Sequence, residues 1–404
     1  MCRACPHCSS WQSWWYTSRM KAEGLFFPMN RRHFLFALMA SPAWRLAAGA
    51  DFAPVLAGRP LRFPADHGAH PAFRTEWWYA TGWLGLPDGS PLGFQTTFFR
   101  VRTGVGEGNP SAFAPRQLVL AHAAVADPRL GRLRHGERSA RVGFGHAGCA
   151  EGNTAVWVGD WRFALEGGAY RAEVKADDFA YRLTLRPDGP PLLNGAAGFS
   201  RKGPDPRQAS YYYSRPRLAV SGSVSLDGRE QTVAGSAWLD HEWSSELLPE
   251  GAQGWDWVGI NLDDGGALMA FRMRGTDGRA LWAAATLQAG GGAAQVLAPE
   301  AVAFEPVRQW RSPRTGIAYP VAWRLRVGGR AFALEPLIDD QELDSRASTG
   351  AVYWEGAVRL LEAGRERGRG YLEMTGYGDR IRVGQAEPGR AWDGLVAAVM
   401  HAAG

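Results

Sequence analysis

Cysteine is nearly missing from this chain. Of four in 404 residues, three are Cys2, Cys5 and Cys8, and beyond residue 51 only Cys149 remains. A single thiol cannot close an intrachain disulfide, so whatever folds after residue 51 is held by its core. No His or Cys cluster follows the N-terminal trio, which argues against half of a zinc motif. Cys149 has only His146 beside it to activate a sulfur, so no catalytic thiol is expected. A Gly-x-Ser-x-Gly elbow is also absent, and Ser244 and Ser245 lie too close to His241 in one segment for a positioned triad. The apolar stretch from Phe34 to Ala40 is short, and Pro42 and Arg45 interrupt its continuation toward Ala50. That is too little for a spanning helix.

Charge of one sign is equally scarce once the N-terminus is set aside. The first fifty residues hold six of the 45 Lys and Arg but one of the 40 Asp and Glu, so both signs then number thirty-nine. No basic field remains, and nucleic acid is not an expected partner. The excess sits in a segment with the form of a leader. Arg31-Arg32 precedes the apolar stretch, and Ala48-Gly49-Ala50 offers a small-x-small cleavage pattern. Residues 29–50 are therefore read as a twin-arginine-type signal peptide, with export to the periplasm or beyond. Met29 is the better start, so residues 1–28 are not expected in the mature protein.

The remainder is mostly β pattern. Tyr170–Leu185, Leu218–Leu226 and Trp323–Leu334 alternate apolar and polar residues with period two between Asp-Gly, Gly-Gly or Pro-containing turns. Helical periodicity is scarce, and Trp392–Ala402 is the best candidate for it. The stretches 104–115, 194–207 and 289–294 read as loops. Roughly 350 mature residues exceed one ordinary core, so two domains are expected. A weak repeat agrees. Trp77-Trp78-Tyr79, Asp88-Gly89 and Phe98-Phe99-Arg100 correspond to Trp255-Asp256-Trp257, Asp264-Gly265 and Phe271-Arg272. The alternation breaks near residues 244–252, which places the domains at 58–245 and 250–395.

Strand parity separates the candidate faces. In the second hairpin Val258, Ile260 and Leu262 read as core, and Met269, Phe271 and Met273 are grouped with them. Trp255, Trp257 and Asn261, with Leu268, Arg272 and Arg274, are expected to face an enclosed, largely apolar ligand. In the first hairpin, Glu76 and Trp78 oppose Trp77 and Tyr79. A carboxylate in so aromatic a setting needs a partner, and Arg100 is the expected one. The densest chemistry is Asp240-His241-Glu242-Trp243, with two carboxylates, an imidazole and an indole in four residues. Among His67, His70, His122, His135, His146 and His241 only the first two are close in sequence, so no metal is expected. Neither is a cofactor.

These blocks resemble a known family. His70-Pro71-x3-Thr75-Glu76-Trp77-Trp78-Tyr79-x-Thr81-Gly82 is similar to the opening motif of the hydroxyneurosporene synthase (carotenoid 1,2-hydratase) family, also called the AttH family. Gly93-Phe94-Gln95-x2-Phe98-Phe99-Arg100, Ala121-His122-Ala123, Tyr211-Tyr212-Tyr213-Ser214-x-Pro216-Arg217 and Trp238-x-Asp240-His241-Glu242-Trp243 come next in order. So do Gly254-Trp255-Asp256-Trp257, Tyr353-Trp354-Glu355-Gly356 and the block from Gly370 to Tyr377. The resemblance covers about residues 58–380. It implies an all-β fold of two consecutive lipocalin-like antiparallel β-barrels.

The resemblance also implies acid chemistry on a hydrophobic, isoprenoid- or lipid-like small molecule. Such a reaction would be hydration, isomerisation or hydrolysis, begun by a carboxylic acid of raised pKa beside cation-stabilising aromatic faces. Asp240, His241, Glu242 and Asp256 are the expected catalytic groups at an inter-barrel site. Glu76, Trp78, Tyr79, Arg100, Tyr212, Trp243, Trp255, Trp257 and Arg272 are the expected ligand contacts. His241 and Trp243 match residues that the hydratases use around their site. The other reading is a non-catalytic carrier, or an accessory protein of an envelope ABC transporter.

Overall fold

The computed structural model describes residues 52–380. The expected leader, the Cys2, Cys5 and Cys8 trio and the expected Trp392–Ala402 helix lie outside the described residues. Within them the regular structure is twenty-three strands and two three-residue 3-10 turns. The fold is all-β, as expected, and every strand pair is antiparallel. No helix among the described residues is long and apolar enough to cross a membrane.

Two sheets divide the strands. Thirteen strands between Thr75 and Glu246 form the first, and ten between Ala252 and Met374 form the second. In the first, Thr75–Gly85 lies between Pro91–Arg102 and Arg229–Glu246, and Ala209–Leu226 comes next on the far side. The sheet curls until Arg132–Arg141 meets the strands at its other end. Arg138 donates to the Lys175 carbonyl, Arg134 donates to the Asp178 carbonyl, and Gly136 lies against Trp161. Inside this barrel Trp78, Phe94, Phe98, Phe163, Tyr181 and Leu239 form one apolar core. A separate core, with Val258, Ile260, Leu268, Trp323 and Trp354, fills the second sheet.

The alternation read from sequence sets these faces. Along Ala169–Lys175, Tyr170, Ala172 and Val174 are buried while Arg171, Glu173 and Lys175 are exposed. The turn at Asp227-Gly228 takes positive φ at both residues, 51° and 76°. That geometry closes a two-residue hairpin, here between two strands of 18 residues each. The Ala209–Leu226 strand is bulged between Arg215 and Leu218. There the Arg217 backbone N–H donates to Asn261 Oδ1 at 2.8 Å, tying the first sheet to the second.

The sheets also meet where Trp83 donates its indole N–H to the Gly370 carbonyl at 3.0 Å. Gly370 has no room for a side chain: a Cβ would lie 1.8 Å from the Gly259 carbonyl oxygen. Gly370→Ala must therefore push two paired strands apart. It is expected to lower stability by about 1–3 kcal/mol, the usual cost of overpacking, with a lowered melting temperature as the readout. An unchanged melting temperature would contradict this close approach.

Candidate functional site

Cross-strand register decides which side chains share a face, because partners in a ladder point the same way. On the Arg229–Glu246 strand, His241 is level with Trp78 and Tyr213, and Trp243 with Glu76 and Tyr211. Asp240 is level with Tyr79 and Ser214, and Glu242 with Trp77 and Tyr212. Asp240-His241-Glu242-Trp243 is therefore split by parity. His241 and Trp243 face one side of the first sheet with Glu76, Trp78 and Arg100. Asp240 and Glu242 face the second sheet with Tyr79 and Tyr212. One four-residue segment serves two centres.

The first centre is a buried ion-pair network at one end of the first barrel. Glu76 is fully buried and forms the pair its setting predicts, accepting Arg100 Nε on Oε2 at 2.8 Å. The His70 backbone N–H donates to the same oxygen at 2.8 Å. Oε1 faces two imidazoles, His70 Nδ1 at 2.7 Å and His241 Nε2 at 2.9 Å. Trp243 stacks on His70 at 3.7 Å between ring centroids, and Trp78 on His241 at 4.8 Å.

Donor roles follow from the one group that can only donate. Arg215 Nη2 lies 3.1 Å from His67 Nε2, so the His67 proton sits on Nδ1 and points at the Tyr213 oxygen, 2.8 Å away. Tyr213 then donates to His241 Nδ1 at 3.1 Å, which leaves His241 Nε2–H for Glu76. The acid–base balance agrees. Burial, with repulsion from Arg215 and His241, lowers His67 to about 4. Burial also lowers His241 despite Glu76. Burial opposes charge on His70 as well, but its hydrogen bonds to Asp66 and Glu76 prevail and raise it. Burial would raise Glu76, yet Arg100, His241 and His70 hold it well below the usual carboxylate range.

The second centre lies between the sheets. Tyr79, Trp83, Tyr212, Trp238, Trp257, Met269, Phe271, Met273 and Tyr371 pack there as one cluster, bordered by half-buried Trp77, Trp255, Trp282 and Leu248. Asp240 sits in it and accepts from Tyr212 Oη, Ser214 Oγ and Trp238 Nε1, each at 2.6 Å. Trp257, from the second sheet, donates to the Tyr212 oxygen at 2.9 Å. Burial pushes Asp240 up to about 7 against those three hydrogen bonds, and Glu242 adds to the push.

Two further carboxyls come from the second sheet. Glu355 and Glu373 are direct cross-strand partners, and Glu373 is level with Trp257. Burial, with repulsion from Asp240 and Glu242, pushes Glu373 up to about 8, although Trp255 Nε1 donates to it at 3.2 Å. Burial and the neighbouring Glu373 push Glu355 well above the usual range. Lys202 supplies an opposing charge, 2.8 Å from Glu242 and over the rings of Phe271 and Tyr212 at 4.1 and 4.7 Å. With Asp240 raised to about 7 and Glu373 to about 8, this layer can hold a carboxyl proton near neutral pH against aromatic faces, the pairing that acid-initiated chemistry on an alkene requires.

Several expectations are corrected. Asp256 and Arg272 are not at the inter-sheet layer. They pair on the core side of the second sheet at 2.6 Å, where Tyr377 also donates to Asp256 at 2.8 Å. His241 and Trp243 do not join Asp240, because neighbours in a strand point to opposite faces. Nor do Met269, Phe271 and Met273 pack with Val258 and Ile260. The turn after Leu262 sets Trp257 level with Phe271 and Ile260 level with Leu268. The three therefore face the first sheet beside Trp257, while Arg272 and Leu268 turn inward.

The structure also adds residues that sequence reasoning missed as site members: Ser214, Lys202, Glu355, Glu373 and His70. For the glutamates there was a sequence signal. Tyr353-Trp354-Glu355 and Tyr371-Leu372-Glu373-Met374 each carry a lone carboxylate in an aromatic, apolar strand. Elsewhere the polar groups are structural. Ser244 and Ser245 donate to the carbonyls of Ala209 and Ala53. Burial first, then Glu76, pushes the Cys149 thiol up to about 11. His122 bridges to Tyr353 and Ser348 at 2.7 and 2.9 Å, and burial lowers it to about 3.

Fold and site together define a class, a lipocalin-like all-β protein whose two antiparallel sheets meet across a layer of aromatic rings and carboxyl groups. The chain belongs to the AttH-like family, whose profile matches residues 54–377. The crystal structure of a Nitrosomonas europaea protein described as an AttH is 52% identical, covering 81% of this chain and 100% of that one with a TM-score of 0.76. Kievitone hydratase from Nectria haematococca shares the fold at 14% identity, covering 81% of this chain and 96% of that one with a TM-score of 0.62. Among curated proteins no match was found.

Proposed function

We propose that this protein binds a hydrophobic isoprenoid- or lipid-like molecule at the inter-sheet layer and hydrates it by acid catalysis. The observation that carries this reading is Asp240, buried among Tyr212, Trp238 and Trp257 and pushed up to about 7. It can therefore hold a transferable proton at neutral pH. In the reaction, the Asp240 carboxyl protonates one alkene carbon and the C=C π pair forms the new C–H bond. The aromatic faces stabilise the resulting tertiary cation. Water forms the C–O bond and returns a proton to the Asp240 carboxylate. Glu373, pushed up to about 8, is a second proton reservoir on the facing sheet. That kievitone hydratase has the same fold supports the choice of hydration over isomerisation or hydrolysis. The Arg31-Arg32 leader supports export through the twin-arginine route, with a periplasmic or secreted location.

The test is turnover of an acyclic polyene in deuterated water, followed by mass spectrometry. The wild type is expected to add one water and to place one deuterium on carbon. Asp240→Asn is expected to lose on the order of 100-fold or more in rate, the usual share of general acid catalysis. Binding seen by tryptophan fluorescence, with neither mass change nor deuterium, would overturn catalysis. It would make the protein a carrier, the role that a link to an envelope ABC transporter requires.

A further inference from the structure

We propose that His70, Glu76 and His241 form a site for one divalent transition-metal ion of zinc-like chemistry. Each of the three offers a ligand atom, and these atoms all lie within 4.8 Å of one another. Two imidazoles and a carboxylate make a donor set typical of zinc sites that keep a position open for water. The site stands apart from the proposed hydration, since it faces the other side of the strand that carries Asp240.

Three features favour an ion over a filled hydrogen-bond network alone. The donors already converge. His70 Nδ1 and His241 Nε2 both point at Glu76 Oε1, from 2.7 and 2.9 Å. Metal–ligand bonds of about 2.0–2.2 Å require these atoms to separate only slightly, by less than roughly an ångström. The far side of each ligand is also occupied, as metal sites need in order to orient their ligands. His70 Nε2 meets Asp66 at 3.1 Å, and His241 Nδ1 meets Tyr213 at 3.1 Å. Glu76 Oε2 is held by Arg100 and by the His70 backbone N–H, which leaves Oε1 for an ion. Finally, Trp243 and Trp78 stack on the two imidazoles, so the rings cannot turn away.

The proton balance is simple. Binding moves the His241 proton from Nε2 to Nδ1, which then donates to the Tyr213 oxygen, while the Tyr213 hydroxyl that had donated to Nδ1 turns to Tyr170. The proton that His70 Nδ1 shares with Glu76 leaves to solvent. One proton is released per ion, so affinity falls as pH drops. Arg100 lies on the Oε2 side of Glu76, and Asp66 and Glu76 together offset it and half of the ion's charge.

The experiment uses the purified chain after chelator treatment and dialysis. Zinc(II) is titrated by calorimetry, and cobalt(II) is followed by its visible d–d bands. One ion per chain is expected, with the band pattern of a four- or five-coordinate nitrogen–oxygen site. His70→Ala and His241→Ala should each weaken binding by at least about 100-fold. Asp66→Asn, which touches no ion, should weaken it by about 10–100-fold. His135→Ala should bind as the wild type does. Zinc(II) should raise the melting temperature of the wild type and not of His70→Ala, a readout that holds even for a destabilised variant. Should His241→Ala fail to fold, His70→Gln, at the less buried edge of the site, decides. Absence of saturable binding, or equal binding by the wild type and the His70 variants, overturns the site.

Discussion

Arg100→Met is expected to lower folding stability by about 3–5 kcal/mol, the cost of stranding one member of a buried ion pair. Arg100 and Glu76 are both fully buried, so solvent cannot replace the lost partner. Arg100 Nη2 also donates to the carbonyls of His70 and Phe73, at 2.9 and 3.0 Å, and methionine satisfies neither. Chemical denaturation at neutral pH measures the loss. The pH profile carries a second signature. Glu76 is held well below its usual value, so its contribution is present above the unfolded value of 4.5 and is lost as pH falls through the folded one. In Arg100→Met that acid-side contribution should shrink. A variant as stable as the wild type would mean that the pair contributes nothing beyond an apolar substitute.

The second large effect has the opposite sign. Glu373 is raised from 4.5 to about 8, and Asp240 from 3.8 to about 7. Between the unfolded and folded values the native state holds a proton that the unfolded chain has released. Stability from these groups is therefore full below about pH 4 and falls as pH rises toward 7 or 8. Glu373→Gln keeps the shape of the side chain and removes the ionisation. It is expected to be more stable than the wild type above pH 8, by up to about 5 kcal/mol at 1.36 kcal/mol per pKa unit, and to converge with it near pH 4. Thermal denaturation across that range gives the comparison. Parallel curves would show that Glu373 is not held protonated in the folded protein. A gain in stability on removing this acid fits a site that keeps an awkward group for chemistry.

How far the sequence could be read differs from element to element. Tyr170–Leu185 and Trp323–Leu334 were legible because one buried face imposes a period of two on the chain itself. Glu76 and Arg100 were legible as partners because a carboxylate among tryptophans cannot be buried alone. Grouping Met269, Phe271 and Met273 with Val258 failed for a definite reason. Parity is local to one strand, and the turn between two strands fixes which parities coincide. The same limit hid the division of Asp240 from His241, although their alternation was in plain view. It also hid the second-sheet acids, since Glu373 stands 133 positions along the chain from Asp240.

The order of residues already carries the β architecture, the family, and the presence of acids and aromatics in strands that would have to bury them. These follow from local pattern and composition, which need no knowledge of what lies opposite. Which acids meet is set by the packing of the two sheets. The fold turned Asp240 toward Glu373 and His241 toward His70 and Glu76, and it closed Asp256 into a pair with Arg272. The physical reason is that a carboxyl group's proton depends on what surrounds it within a few ångströms. For Asp240 those surroundings are built from strands of both sheets, brought together only when the two sheets close over it.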